Sequence, residues 1–186
     1  MNELVFILGG ARSGKSAYAE RRARERAGPV VFVATATASD DEMARRIAAH
    51  RAGRPTDWTT IEAPVAVAAH LDALPHATAT VIVDCLTLLV SNLLLAHEAE
   101  GEAAVSRRVE AEIDALLERY AAGTATWLVV SNEVGLGLVP PYPLGRFYRD
   151  LLGRVNARVA ARADRVYLMV AGLPIDVKRL AEDRGD

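Results

Sequence analysis

The amino-acid sequence predicts an α/β domain: a mainly parallel β-sheet covered by helices on both faces. Two observations carry this. Five short runs rich in apolar and β-branched residues recur along the chain, "LVFIL" from Leu4, "VVFVA" from Val30, "TVIVD" from Thr80, "TWLVV" from Thr126 and "RVYLMV" from Arg165. Segments with room for helices lie between them, and strand–helix–strand rhythm with near-continuous apolar strands is the pattern of a sheet buried on both sides. The chain is also large enough for one such domain, since 186 residues at 51% hydrophobic content can bury a real core.

The elements follow in order. "LVFIL" runs into a glycine loop, Gly9-Gly10-Ala11-Arg12-Ser13-Gly14-Lys15-Ser16, and then a helical pattern. After "VVFVA", Ser39-Asp40-Asp41-Glu42 forms a capping box whose acids suit the positive end of a helix dipole. That helix should run toward His50 and stop at Gly53 and Pro55, leaving His50 and Arg51 in its last turn. "CLTLLVSNLLLA" after the third run reads as a buried helix, and further helices fit Glu102 to Tyr120 and Leu144 to Ala163. "SNEVGLGLVPPYPLG", rich in Gly and Pro, should be a long surface loop at the C-terminal end of the fourth strand, the edge where open parallel sheets bind ligands.

Composition narrows the function classes. With 22 basic against 24 acidic residues, a net charge of −2, the chain offers no long-range attraction for nucleic acid or anionic lipid. "CLTLLVSNLLLA" is too short, and too interrupted by Ser91 and Asn92, to span a bilayer, so no membrane insertion is expected. One cysteine, Cys85, and a start unlike a secretion signal read as cytoplasmic. His70, His76 and His97 share no metal-ligand spacing with Cys85, which argues against a zinc site.

Gly9-x4-Gly14-Lys15-Ser16 matches the phosphate-binding P-loop, with a strand before it and a helix after it. The glycines let successive N–H groups converge on phosphate oxygens, Lys15 neutralises β/γ charge, and the Ser16 hydroxyl can ligate Mg²⁺. Of the 22 basic residues only Lys15 and Lys178 are lysines. A chain that otherwise writes positive charge as Arg keeps a compact ammonium where one must reach between phosphates. Asp84, ending "TVIVD", stands where a second acidic group orienting Mg²⁺ is expected; an N-cap for the next helix is the competing reading, and spacing does not separate them.

A P-loop names no acceptor. His50 either interacts with the last carbonyls of its helix, the common use of a histidine there, or attacks the α-phosphate of a nucleotide as a neutral imidazole. Arg51 and Arg54 in "RAGR" either clamp triphosphate oxygens or solvate the helix end. The nearest rival reading is a P-loop small-molecule kinase without a second activity, and from another class a nucleotide-regulated interaction module.

The blocks "GGARSGKS", "ATATASDDEMARRIAAHRAGRP", "WTTIEAP", "VDCLTLLVSNLL", "SNEVGLGLVP" and "FYRDLLGRVNARVAARADRVYLMVAGLP" together resemble the bifunctional adenosylcobinamide kinase/adenosylcobinamide-phosphate guanylyltransferase family of cobalamin biosynthesis. The resemblance runs in order to about Lys178. It implies a single RecA-like P-loop NTPase domain over residues 1–178 and a homotrimer, while "RLAEDRGD", residues 179–186, extends past the usual end of the family and is expected as a solvated tail. It further implies phosphorylation of adenosylcobinamide by a nucleoside triphosphate, ATP or GTP, with Mg²⁺ held at Ser16 and Asp84. Transfer of GMP from GTP to adenosylcobinamide phosphate would follow, through a guanylylated histidine that matches His50. Nucleotide contacts implied in the same way are Gly9, Gly10, Ala11, Arg12, Ser13, Gly14, Lys15 and Ser16; Ala34, Thr35 and Ala36; Arg51, Ala52, Gly53 and Arg54; and Glu62 and Asp84. For Glu62 the chemistry would be acceptance from guanine N1–H and the exocyclic amine, against a surface carboxylate after a short strand.

Overall fold

A computed structural model describes residues 2–38, 41–71 and 77–182. Seven strands form one sheet, β1 (Leu4–Gly9), β2 (Val30–Ala34), β3 (Thr59–Glu62), β4 (Thr80–Asp84), β5 (Thr126–Val130), β6 (Arg165–Val170) and β7 (Leu173–Asp176). Their order is β3-β2-β4-β5-β1-β6-β7. All neighbours are parallel except β6 and β7, which pair antiparallel. The five apolar runs are the five inner strands. Each alternates its side chains between two buried faces, which is why the runs read as continuous. Leu4, Phe6, Val81, Val83, Trp127 and Val129 pack on one face, and Val5, Ile7, Phe32, Ile82, Leu128 and Val130 on the other.

The first face is covered by α4 (Leu86–His97), α5 (Glu102–Ala122) and α6 (Pro143–Arg162), with the short α3 (Val67–His70) beside them. On the second lies α1 (Lys15–Arg24), which contributes Tyr18, Ala19 and Ala23. α2 (Asp41–Ala52) differs from both groups: of its described side chains only Ile47 is even half-buried. It ends where expected, with Gly53 N–H donating to Ala49 O at 3.2 Å, so His50 and Arg51 occupy its last turn. Asp41 and Glu42 stand in its first turn, while Ser39 and Asp40 of the capping box lie outside the described residues, as does His76.

The two edge strands have weak sequence signals. β3, "TTIE", is four residues with no fully buried side chain. β7, "LPID", contains Pro174, which an edge strand tolerates because no ladder bond needs its missing N–H. Residues 179–182, expected as the start of a tail, belong to a short helix, α7 (Val177–Glu182), capped where Arg179 N–H donates to Asp176 at 3.1 Å. Residues 183–186 lie outside the described residues. No helix among the described residues is long and apolar enough to cross a membrane.

Candidate active site

The loop between β1 and α1 takes a shape that its glycines permit. Gly9 has φ 150°, and a Cβ there would stand 2.6 Å from both Met169 O and Ser13 Oγ. Gly14, the N-cap of α1, has φ 96° and packs against Gly172 of the β6–β7 turn. That turn holds the loop from behind, as Gly172 N–H donates to Ser13 O at 3.0 Å. Lys15, only 7% exposed, donates from Nζ to Gly10 O at 2.6 Å. Burial lowers its pKa, with the charges of Cys85 and Asp84 opposing that fall.

A cavity of ≈ 650 Å³ opens over this loop at the C-terminal ends of the strands. Ala11, Arg12, Ser13, Gly14, Lys15 and Ser16 line one side. Ala34, Ala36, Glu62 and Asp84 from the ends of β2, β3 and β4 line another, and His50, Arg51 and Arg54 reach it from the end of α2 and the turn that follows. The loop and the histidine, 34 positions apart in sequence from Ser16 to His50, thus share one space. Gly9, Gly10, Thr35, Ala52 and Gly53 do not line it. Gly9 and Gly10 shape the loop, the Gly53 carbonyl turns instead to Arg24 Nη2 at 3.2 Å, and Thr35 is fully buried. The Thr35 hydroxyl accepts from Cys85 N–H and donates to Cys85 O, both at 2.8 Å, so it clamps the backbone next to Asp84.

Asp84 ends β4, and the helix it precedes takes Cys85 as N-cap with no side-chain bond. Its carboxylate instead accepts from the Ser16 hydroxyl, so its capping reading falls. Burial pushes the Asp84 carboxyl above its usual range, opposed by the Ser16 hydrogen bond and then by His50, Arg54 and Lys15. This part-buried acid is where the charges of the loop and of the α2 segment meet. Arg54 stacks its guanidinium 3.6 Å over the Phe32 ring, and burial lowers its pKa. Arg51 pairs with Glu62 at 2.8 Å, both side chains being more than half exposed. Neither arginine merely solvates the helix end.

Lining residues that the sequence did not single out are Ala17, Ile47, Thr87, Leu88, Val130 and Asn132, along with Cys85, read there only as a small hydrophobe. Val130, Cys85, Thr87 and Asn132 end or follow β5 and β4, so the strand-edge rule could have found them. The Asn132 N–H donates to Thr87 Oγ1 at 2.7 Å and its carbonyl accepts from Asn156 Nδ2 at 3.0 Å. These bonds brace the start of the long loop, whose Leu136 and Leu138 are 85% and 97% exposed.

With this geometry the comparisons with known proteins become specific. A family model described as cobinamide kinase / cobinamide phosphate guanyltransferase matches residues 5–177, which span the loop, α2 and every strand through β7. The chain belongs to this family. It is 47% identical to the bifunctional adenosylcobalamin biosynthesis protein CobP of Pseudomonas aeruginosa over 173 residues, covering 93% of this chain and 96% of that protein. It is 40% identical to the CobU protein of the same description from Salmonella typhimurium, covering 94% and 99%, and 38% identical to that of Escherichia coli, covering 94% and 99%. The fold is shared more widely. The RadB recombinase superposes with a TM-score of 0.52 at 16% identity, covering 89% of this chain and 73% of that one. An ATPase of a bacterial type III secretion system superposes with a TM-score of 0.60 at 14% identity, covering 98% and 54%. These two neighbours establish the RecA-like P-loop architecture and nothing about substrate.

Proposed function

We propose that this enzyme carries out both reactions of its family in the one cavity over the P-loop, and that His50 is the nucleophile of the second. The observation that carries this is the shared space: the imidazole at the end of α2 lines the same cavity as Lys15, Ser16 and Asp84. In the kinase reaction the loop N–H groups and Lys15 hold the triphosphate while the side-chain hydroxyl of adenosylcobinamide attacks the γ-phosphorus. The bond from the γ-phosphorus to the bridging oxygen breaks, and a nucleoside diphosphate leaves. In the transfer reaction a ring nitrogen of neutral His50 attacks the α-phosphorus of GTP and the bond to the β-bridging oxygen breaks. Pyrophosphate leaves on the loop, and a phosphoramidate remains on His50. A phosphate oxygen of adenosylcobinamide phosphate then attacks the same phosphorus, the N–P bond breaks, and the histidine returns neutral.

Ser16 and Asp84 suit a Mg²⁺ ion, because a hydroxyl and a carboxylate already joined by a hydrogen bond offer two hard oxygens, and Mg²⁺ takes its other ligands from phosphate and water. Bound there, it would supply charge neutralisation at the β- and γ-oxygens. Arg54 and Arg51 face the same oxygens from the α2 side, and Glu62 accepts from the guanine edge once Arg51 turns to phosphate. The protein acts as a cytoplasmic homotrimer on this reading. His50→Ala should lose GMP transfer by more than about a thousand-fold while keeping at least part of the kinase rate, since only one reaction uses the ring as nucleophile. Coupled assays of pyrophosphate and diphosphate release measure the two separately. Full guanylyl transfer by the variant removes the covalent route.

A further inference from the structure

Asn92 is a polar residue in the strongly apolar helix α4, and it is not among the residues of the cavity wall. α4 buries Leu86, Leu89, Val90, Leu93 and Leu94 against the sheet, and Asn92 sits half-buried among them. Its Nδ2 uses both hydrogens on main-chain carbonyls of other segments, Thr35 O at 2.9 Å and Pro64 O at 2.9 Å. These carbonyls lie just past the ends of β2 and β3, where the strands leave the sheet.

The location gives those two bonds a consequence. Ala34 pairs with Glu62 at the end of the β2–β3 ladder, and Ala63 N–H donates to Ala34 O at 2.9 Å. Beyond that point Pro64 has no N–H to offer, and Thr35 O and Pro64 O both accept from Asn92 instead. Asn92 takes over as the tie. One residue past Thr35 stands Ala36, and two before Pro64 stands Glu62, both lining the cavity. Asn92 thus extends the join between these two walls past the last backbone bond of the β2–β3 ladder, with one side-chain amide bonded to both.

We infer that Asn92 is a positioning residue for nucleobase selection, fixing the gap between the ends of β2 and β3 so that Glu62 meets guanine. This rests on the guanine role proposed for Glu62. The phosphate loop stands on β1, with β4 and β5 between it and β2, so loss of the tie leaves the loop itself in place and blunts base discrimination.

The test is competition between GTP and ATP, measured as dissociation constants with Mg²⁺ present, for the wild type, Asn92→Leu, Asn92→Ala, Glu62→Gln and the double variant of Asn92→Leu with Glu62→Gln. Leucine suits the helix and its neighbours, and removes both donors. The expected result is a five- to twenty-fold loss of GTP preference in each Asn92 variant with ATP affinity within two-fold of wild type, a loss of similar or greater size in Glu62→Gln, and a double variant no worse than Glu62→Gln. Unchanged preference in the Asn92 variants, or equal weakening of GTP and ATP, overturns the inference. So does failure of both single Asn92 variants to fold, which makes Asn92 a residue of the fold alone. Retained preference in Glu62→Gln removes the guanine role of Glu62 instead, and with it the premise.

Discussion

Cys85 shows how strongly this cavity changes the chemistry of a single side chain. It lines the site beside Asp84, and burial, aided by the negative charge of Asp84, raises its thiol from an ordinary 9.0 to about 11. Because the thiolate is the reactive form, a raised pKa means that Cys85 stays protonated through the whole physiological range and ionises only as pH rises toward 11. As the sole cysteine it can be followed without interference. Its alkylation by iodoacetamide at pH 9 should be more than about ten-fold slower than that of a free thiol, with the rate still climbing above pH 10. A thiol that titrates near 9 would contradict a desolvated cavity floor. The same low-polarity floor lowers the pKa of Lys15 and raises that of Asp84, so the site places opposite charges where each costs energy alone and phosphate compensates one of them.

At the scale of elements, the phosphate loop is held by parts distant in sequence. The β6–β7 turn packs on Gly14 and bonds Ser13, while Met169 of β6 closes on Gly9. Gly9→Ala should therefore destabilise the protein by about 1–3 kcal/mol, because the new methyl meets a backbone carbonyl that has no room to move. Nucleotide affinity should fall with it. Urea unfolding and a nucleotide titration check both, and a variant with wild-type midpoint and affinity contradicts the close approach. The motif itself was legible because loop, lysine and hydroxyl are contiguous and the flanking strand and helix are strongly patterned. The five inner strands were legible for the same reason, each being buried on both sides. β7 was not, because Pro174 and an exposed edge leave no periodicity to read. Asp84 is ambiguous in sequence, since capping and metal ligation demand the same residue type at the same strand end, and only its hydrogen bond with Ser16 distinguishes them. Thr87 and Asn132 belong to no local motif; their place just after β4 and β5 is the only signal they give, and the sheet order sets those strand ends beside the loop.

For the whole molecule, the sheet order puts β1 and β4, which lead into the loop and Asp84, on either side of β5, and so assembles the phosphate end of the site from rigid strands. The α2 segment is of another kind. Its helix is exposed, and contacts at its C-terminal end secure it: Arg54 on Phe32, Arg51 to Glu62, and Gly53 O to Arg24. The proposed role of His50 therefore places the nucleophile on an exposed helix held at its C-terminal end, outside the core. The β6–β7 edge and the following α7 leave Val170, Leu173 and Leu180 at least half exposed, surface that self-association would cover. Sedimentation equilibrium should give the mass of three chains for the proposed trimer, and a persistent monomer at micromolar concentration contradicts it. The most direct test of the central claim is incubation with α-labelled GTP and Mg²⁺, followed by denaturation and peptide mapping. The label should sit on the peptide carrying His50 through a bond stable in base and labile in acid. An unlabelled protein that still transfers GMP, or label on any other residue, would contradict a guanylylated His50.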